Sequence, residues 1–540
     1  MRQRKPLVNV CGLLFLDVMR VEFRAMNSLE ISSEQFRQLA SKVIQLADQY
    51  LRTLDSRPVL PAARGEETER LFGVDLPEQG LGEAAVGELE EVLRRSRAQN
   101  GRFFGYVLGS GEPVGAIADL LTSVLNQNVT AWRSAPAAVT IERTVVGWLG
   151  EAIGCSGFEG SLTGGGSSAN LMGLAMAREA KTPANERGLR GAPAGVVYAS
   201  DEIHMSIPKA VALLGLGREN LRLVPVDDSF RMIPAELERA IRDDKTAGKI
   251  PIAIVASAGT VNTGAIDPLV EIAEISRRHK TWFHVDGAYG ALAAIARRDK
   301  FGGLEMADSL SLDPHKWLYQ PLDCGCLLFR DAAAAEAAFS HTGDYAKSLS
   351  TDPLEGFAFF EESLELSRRF RALKLWLSLR YHGVAEFRRA IEFDLAHAQR
   401  LAADIRKHRE LEMLAPVELS AVCFRYKSVR GQSEQELNRV NAELLRRVVE
   451  RGRVYLSNAS LRGKFGLRAC IVNHRTTDAD VDAIVPEVLS AAKEKQMGRL
   501  NSAESAFLVN PLLAFASCVE HIIGSASNIK GRHQWEFPPE

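Results

Sequence analysis

The sequence has few cysteines and no close grouping of metal ligands. Its seven cysteines are scattered over 540 residues, so they form no disulfide framework, and we expect a reducing compartment, the cytoplasm. Cys324 and Cys326 are the only close pair. No His or Cys follows them at zinc spacing, so we interpret both as small apolar residues of a strand and expect no metal site.

Net charge and long apolar segments are also scarce. The 66 Lys and Arg residues nearly balance 68 Asp and Glu residues, giving a net charge of −2, which argues against nucleic-acid binding by bulk electrostatics. The apolar run Leu7–Val18 resembles a secretory signal, but Asp17 interrupts it and no small-residue cleavage site follows. We expect an unstructured leader over residues 1–25. No other segment is long and apolar enough to predict a membrane helix.

The composition is that of a globular protein with a large core. With 46% hydrophobic and 25% charged residues, the chain is not predicted to be disordered. Ser32 and Gln35 form a capping-box pattern before apolar residues at helical spacing, which predicts a helix. A loop is expected over Pro58–Glu69, followed by a mostly helical stretch to about Asn100.

The middle of the chain alternates between short β-rich runs and helix-length segments. This alternation predicts an α/β fold with a mostly parallel sheet and ligands at the carboxyl ends of its strands. A smaller α+β domain is expected after residue 373. The predicted strands are Val196–Ala199, Leu221–Val226, Ile252–Ala258, Trp282–Val285, Ser309–Leu312 and Cys326–Phe329.

Lys316 and Asp286 are the first candidate functional residues. Lys316 lies just past a predicted strand in Asp313-Pro314-His315-Lys316-Trp317, where desolvation and nearby cations can activate an amine for Schiff-base formation. Asp286 ends another predicted strand, in His284-Val285-Asp286-Gly287-Ala288-Tyr289. Each has a simpler interpretation, an exposed loop lysine and a helix-capping aspartate. Together they fit a cofactor with a pyridinium nitrogen.

Two further segments offer parts of the same site. Thr163–Asn170, with three consecutive glycines and two serines, stands directly before an apolar helix and is suited to bind a phosphate. A tight turn is the alternative, and the segment lacks the dinucleotide-binding pattern. His204 follows a predicted strand and can reach the same cleft, although a lone histidine is more often structural.

With these motifs, the chain resembles the group II pyridoxal-phosphate-dependent amino-acid decarboxylases, the family of aromatic-L-amino-acid and glutamate decarboxylases. The resemblance covers about Phe103–Asp478. It implies pyridoxal 5'-phosphate as cofactor and the fold of fold-type I enzymes, with a large, mostly parallel sheet of seven strands. It also implies a homodimer. The implied parts are a helical dimer clasp over 26–112, a cofactor domain over 113–373 and a small domain over 374–497, leaving a tail, 498–540, of unassigned role.

The resemblance also implies roles for individual residues. Lys316 would bind the cofactor aldehyde, Asp286 would hold the ring proton, and His204 and Ala288 would lie on opposite ring faces. The remaining cofactor residues would be Gly165, Gly166, Ser167, Thr260, Asp313 and His315. Asp313 stands where aromatic-specific members carry asparagine, and an acid beside a phosphate repels it unless the acid is protonated or bonded to a donor.

The implied reaction is α-decarboxylation of an L-amino acid to an amine and CO2, through a Schiff base on Lys316 and a quinonoid intermediate. Tyr345 matches the family's mobile-loop tyrosine, which protonates the product carbon with His204 assisting; an ordinary surface tyrosine is the alternative. An aromatic amino acid is the leading substrate class. Polar residues in the predicted pocket leave acidic or other polar amino acids open. That pocket comprises Tyr106, Gly109, Asn128 and Trp132.

Two other classes of protein fit the sequence less well. A nicotinamide-dependent enzyme would show alternating strands and glycines, but the fingerprint with its ribose-binding acid is missing. An inactive cofactor-binding homologue would keep Lys316 and Asp286 while losing the loop chemistry, and Tyr345 argues against it.

Overall fold

The computed structural model describes residues 29–61, 63–341, 352–427 and 432–498. The chain divides into two compact units, Met1–Val488 and Leu489–Glu540. Both sheets and all candidate site residues that the structure describes lie in the first unit, and the described part of the second is helical. The expected leader over 1–25 and nearly all of the tail lie outside the described residues.

Three helices precede the sheet domain: α1 (Ser33–Thr53), α2 (Gly65–Phe72) and α3 (Leu89–Arg95). The predicted capping box is confirmed, because the Gln35 N–H donates to Ser32 Oγ (3.2 Å) and the Ser32 N–H donates to Gln35 Oε1 (2.9 Å). The predicted end of the loop Pro58–Glu69 is wrong, because α2 already begins at Gly65. None of the residues of α1 is buried, so its apolar stripe is exposed.

The large sheet has seven strands in the order β1-β7-β6-β5-β4-β2-β3. Only β7 runs against the others, because it pairs antiparallel with both β1 and β6. All six predicted strands are present. The strands are β1 (Glu159–Thr163), β2 (Gly195–Ser200), β3 (Leu221–Val224), β4 (Ile250–Ser257), β5 (Trp282–Asp286), β6 (Ser309–Leu312) and β7 (Gly325–Phe329).

Helices cover both faces of this sheet. Consecutive residues of β4 point into two different cores, since Ile254 packs in one apolar cluster and Val255 in the other. This two-sided burial explains why the parallel strands are continuous apolar runs. The helices around the sheet are α4 (Pro113–Leu125), α5 (Pro136–Ile153), α6 (Gly166–Lys181), α7 (Ala184–Arg187), α8 (Ser206–Leu213), α9 (Pro234–Thr246), α10 (Leu269–His279), α11 (Ala294–Arg297), α12 (Pro314–Trp317) and α13 (Ala332–Phe339).

The smaller sheet is antiparallel, in the order β10-β11-β9-β8. Its β10–β11 hairpin turns at Arg462 and Gly463, which both have positive φ (51° and 77°), as the tight turns of twisted hairpins require. The elements are α14 (Ala372–His382), α15 (Val384–Lys407), β8 (Leu411–Met413), β9 (Ala421–Tyr426), α16 (Glu434–Glu450), β10 (Ser457–Leu461), β11 (Lys464–Cys470), α17 (Asp478–Asp482) and α18 (Ile484–Gly498). Across the described ranges, none of the helices is both long and apolar enough to cross a membrane.

Candidate active site

The candidate residues gather at one edge of the large sheet. Parallel strands end on the same side, so the segments that follow β1, β2, β4, β5 and β6 meet there. Asp286 is the last residue of β5 and is paired in register with Ser311 of β6. Lys316 follows Ser311 by five residues. The segments at this edge are 164–167 after β1, 201–206 after β2, 258–260 after β4, 286–288 at the end of β5 and 313–316 after β6.

Lys316 lies in the short helix α12 and is paired with an acid. Its Nζ is 2.9 Å from Asp313 Oδ2, and its side chain is 18% exposed. His315 Nε2 approaches the same oxygen at 3.6 Å. Within the described ranges Asp313 Oδ1 is buried without a hydrogen-bond partner. Because the Lys316 ammonium offsets the Asp313 charge, this acid is less repulsive to a nearby anion than an isolated carboxylate.

Asp286 is buried and receives three hydrogen bonds. Its Oδ1 accepts from Ser311 Oγ (3.1 Å) and the Ala288 N–H (3.2 Å). Its Oδ2 accepts from Asn170 Nδ2 (3.0 Å). A carboxylate has about four acceptor sites, so Asp286 retains the capacity to accept a further hydrogen bond from a ligand N–H group.

His204 is held by Ser206, two residues along the chain. Its Nδ1 lies 2.9 Å from Ser206 Oγ and accepts from the Ser206 N–H at 3.2 Å. Burial lowers the pKa of His204 below its ordinary value. The ring is therefore neutral near pH 7, and with an acceptor at Nδ1 it carries its proton on Nε2.

The glycine segment forms a close-fitting cradle at the start of α6. Helix N-termini present backbone N–H groups without intrahelical acceptors, here in the turn of Gly165, Gly166 and the exposed Ser167. A Cβ added at Gly166 would lie 2.6 Å from Ala288 Cβ and 3.1 Å from Asp313 Oδ2. Position 166 therefore has no room for a side chain.

Thr260 and His315 are both buried and both bonded within the protein. Thr260 Oγ1 is 2.8 Å from Thr263 Oγ1 and accepts from the Ala265 N–H at 3.2 Å. His315 Nδ1 donates to the Cys324 carbonyl at 2.6 Å. Burial lowers the pKa of His315. Local bonds thus fix the orientation of both side chains.

The predicted pocket residues are more dispersed. A Cβ at Gly109 would lie 3.8 Å from the Lys316 carbonyl oxygen, so this segment runs beside the lysine. The exposed Tyr106 has a φ of 59°, and its hydroxyl is 3.0 Å from that of Tyr455. Trp132 is partly buried against the main core.

Asn128 belongs to a separate surface cavity of about 540 Å³. Its Oδ1 accepts from the Arg368 N–H at 2.8 Å. The lining residues of this cavity are Thr122, Ser123, Asn126, Gln127, Asn128 and 367–370, and they include none of the predicted cofactor residues. Tyr345 lies outside the described residues.

Several polar residues of the site were not predicted from the sequence. Asn170 and Ser311 both donate to Asp286, and Ser206 supports His204. The feature of the sequence that could have indicated such residues is a polar residue inside an otherwise apolar helix or strand. Asn170 lies in the segment Thr163–Asn170 and His284 at the start of the Asp286 motif, but the sequence predicts no role for either.

This arrangement fits a flat ligand that carries an anion, a carbonyl and a ring N–H. The cradle at Gly166 fits a phosphate, the Lys316 amine a carbonyl carbon, and Asp286 the ring N–H. Among the described residues, no group of three or more His, Cys, Asp or Glu side chains could hold a metal ion.

Comparisons with known proteins agree with this chemistry. Residues 68–427 match the family model described as the pyridoxal-dependent decarboxylase conserved domain. The chain is 34% identical over 476 residues to the aromatic-L-amino-acid decarboxylase of Bacillus atrophaeus, covering 86% of this chain and 97% of the relative. It is 31% identical over 467 residues to a phenylacetaldehyde synthase of Petunia hybrida (82% and 91% covered). The crystal structure of Oryza sativa TDC with PLP and tryptamine superposes with a TM-score of 0.81 at 27% identity, covering 86% of this chain and 99% of that one.

Proposed function

The chain belongs to the family of pyridoxal-dependent decarboxylases. From this premise we propose that it converts an aromatic L-amino acid to its amine and CO2 at the carboxyl ends of β5 and β6. Pyridoxal phosphate is the cofactor. The observation that carries the proposal is the pairing of Asp286 with Ser311 on adjacent strands, because it brings Asp286 beside the strand that leads directly to Lys316.

Lys316 and Asp286 serve opposite ends of the bound cofactor. When bound, pyridoxal phosphate supplies an aldehyde that joins to amines and a protonated ring that withdraws electrons from the bonds at the substrate Cα. Lys316 would supply the amine that holds the cofactor aldehyde. Asp286, with three donors fixing its carboxylate, accepts the ring N–H and keeps that proton on the nitrogen.

The phosphate and the ring faces are held by the other elements of this edge. Backbone N–H groups of Gly166 and Ser167 bind the phosphate at the start of α6, where the helix dipole favours negative charge. His204 and Ala288 would pack on opposite faces of the ring. The bonds at Nδ1 leave the His204 proton on Nε2, where it is available to donate.

An aromatic substrate is supported by the relatives and by two side chains. The Bacillus atrophaeus relative is named for aromatic L-amino acids. Tyr106 and Trp132 supply rings in the segments expected to form the pocket, and Gly109 of the first segment lies near the Lys316 backbone. Asn128 lines a separate cavity and lends this assignment no support. An aromatic side chain would bury its surface against such rings.

Tyr345 is proposed as the proton donor to the substrate Cα after CO2 leaves. A phenolic hydroxyl can donate at this step, whereas phenylalanine cannot. With tyrosine at this position, we propose the amine rather than the aldehyde as the product.

We further propose that the enzyme is a homodimer. Helix α1 exposes Phe36, Val43 and Ile44, which are 46%, 44% and 57% exposed. Helix α4 exposes a second stripe that includes Ile117 (66%) and Val124 (57%). Two apolar stripes of this kind favour a protein–protein interface. Size-exclusion chromatography with light scattering should give twice the chain mass, and a monomer at micromolar concentration would contradict the proposal.

A cytoplasmic location is proposed as well. It is supported by Cys155, Cys324, Cys326, Cys423 and Cys470, which are buried free thiols, as expected in a reducing compartment. Cell fractionation would test it.

The function is tested by CO2 release from a panel of aromatic, acidic and basic L-amino acids with the cofactor-loaded enzyme. We expect the highest kcat/KM with tyrosine, tryptophan or phenylalanine, and the matching amine as product. Preference for glutamate or aspartate would overturn the substrate assignment but not the reaction. Absence of CO2 from every amino acid, with cofactor bound, would overturn the reaction.

A further inference from the structure

Asn170 of helix α6 lies at the centre of a buried hydrogen-bond network behind the proposed cofactor site. Its Nδ2 donates to Asp286 Oδ2 at 3.0 Å and to Ser206 Oγ at 2.9 Å. Its Oδ1 lies 2.9 Å from His284 Nε2. Both hydrogens and the oxygen of one amide are thus used. We call Trp282, Ser309, His284, Asn170 and Ser206 the Asn170 network.

The network runs from a side chain that only donates to a side chain that only accepts. Trp282 Nε1–H donates to Ser309 Oγ at 2.8 Å. Ser309 Oγ is 2.8 Å from His284 Nδ1. An indole only donates and a carboxylate only accepts, so the Asn170 amide must turn its NH2 toward Asp286 and its oxygen toward His284.

This orientation fixes the proton of His284. The Asn170 oxygen only accepts, so His284 must donate from Nε2. Burial lowers the pKa of His284, so the ring is neutral and its Nδ1 accepts from the Ser309 hydroxyl. Every proton between Trp282 and Asp286 then has one position, and each bond points toward Asp286.

Close packing keeps the network in register. Asn170, His284 and Ser309 have no measurable exposure. A Cβ at Gly173 would lie 2.6 Å from His284 Nδ1 and 3.1 Å from Ser309 Oγ. Helix α6 therefore touches the imidazole with its backbone, and the ring cannot turn without moving that helix.

A branch of the network reaches His204. Ser206 Oγ accepts from Asn170, so the Ser206 hydroxyl hydrogen is free to donate to His204 Nδ1, 2.9 Å away. This places the proton of neutral His204 on Nε2. The bond from the Ser206 hydroxyl adds to the one that the Ser206 N–H donates to the same nitrogen. The Asn170 amide therefore bonds directly to Asp286 and supports His204 through Ser206.

We propose that Asn170, oriented by His284 and Ser309, is a positioning residue that holds Asp286 as a hydrogen-bond acceptor and His204 as an Nε2–H donor toward the cofactor. The inference rests on the proposed function, because Asp286 and His204 act through the cofactor. It assigns a role to residues that themselves do not touch the cofactor.

The test compares His284→Gln with His284→Met. The two replacements have similar length and shape, and both are neutral. Only glutamine can donate an N–H to Asn170 Oδ1 from the place of Nε2. The dissociation constant of pyridoxal phosphate and the visible absorption band are measured for both variants and for the wild type, with thermal unfolding of each cofactor-free protein as the folding control.

We expect His284→Met to bind pyridoxal phosphate about tenfold more weakly than His284→Gln, as the loss of one buried hydrogen bond implies, and to shift the visible band. Equal affinities and identical spectra would overturn the inference. If His284→Met does not fold, Asn170→Asp takes its place in the comparison. Aspartate has the same shape as asparagine, but it places a carboxylate oxygen where Asn170 Nδ2 donates to Asp286. Wild-type affinity in Asn170→Asp would overturn the inference.

A second readout does not depend on the cofactor. Solid-state 15N NMR of labelled histidine, assigned with His284→Gln, should find His284 neutral with its proton on Nε2. A proton on Nδ1 would overturn the inference. A wild-type protein that fails to bind pyridoxal phosphate would contradict the proposed function, whereas normal wild-type binding with equal Gln and Met variants would contradict the positioning role alone.

Discussion

Substitution of Gly166 by alanine tests the phosphate cradle. The added Cβ would lie 2.6 Å from Ala288 Cβ, well inside contact distance, and 3.1 Å from Asp313 Oδ2. The Ala288 methyl group has no rotamer that moves it away, so the backbone of α6 or of residue 288 must shift. Overpacking of this kind costs about 1–3 kcal/mol. Because the Ala288 N–H also donates to Asp286, the shift would disturb both ends of the cofactor.

Relief of the clash moves the backbone N–H groups that are proposed to bind the phosphate. Pyridoxal phosphate should therefore bind more weakly to Gly166→Ala, by about 5- to 150-fold if this whole cost appears in binding, at 1.4 kcal/mol for each factor of ten. The assay is titration of the cofactor-free enzyme followed by visible absorbance. Gly164→Ala is the matched control, because a Cβ there meets only Asp323 Oδ2, at an ordinary 3.4 Å. Equal affinity of the two alanine variants would refute the cradle.

Three further predictions address other parts of the protein. Tyr345→Phe should divert product from amine toward aldehyde, measured by chromatography of both; an unchanged amine yield would contradict its role as proton donor. Arg368 and Glu142 form a fully buried ion pair. Arg368→Met or Glu142→Gln alone should therefore lower the free energy of unfolding, measured by urea denaturation, by about 3–5 kcal/mol. The double variant should lose less than the sum of the two single losses, and additive losses would contradict the pairing. Burial raises the pKa of Asp394 to about 8. Between about pH 4 and 8 the unfolded chain has already lost this proton while the folded protein keeps it, so stability falls as pH rises through this window. Asp394→Asn should remove up to about 1.4 kcal/mol of that loss per pH unit, and an unchanged pH dependence of unfolding would contradict the assignment.

The parallel strands could be predicted because they are buried on both faces. Ile252–Ala258, for example, is a continuous apolar run, and the structure has β4 over Ile250–Ser257. Strand β1 was missed, since Glu159-Gly160-Ser161-Leu162-Thr163 has little β propensity. It forms because it pairs with β7, more than 160 residues later in the chain.

The site could be predicted only as far as its motifs were local. Asp286 ends one strand and Lys316 follows another, and such positions can be recognised in the sequence. The contacts of Asn170 with His284 and Asp286 join residues 114 and 116 positions apart, so no spacing rule indicates them. The ion pair of Lys316 with Asp313 depends on the turn of α12, which a single sequence does not specify.

All of the proposed chemistry requires that Lys316 is the amine that holds the cofactor aldehyde. Borohydride reduction of the cofactor-loaded enzyme, followed by proteolysis and peptide mass spectrometry, tests this most directly. We predict a phosphopyridoxyl group on the peptide that contains Lys316, together with loss of the visible band. A modified lysine elsewhere in the chain, or a visible band that survives reduction, would contradict the account.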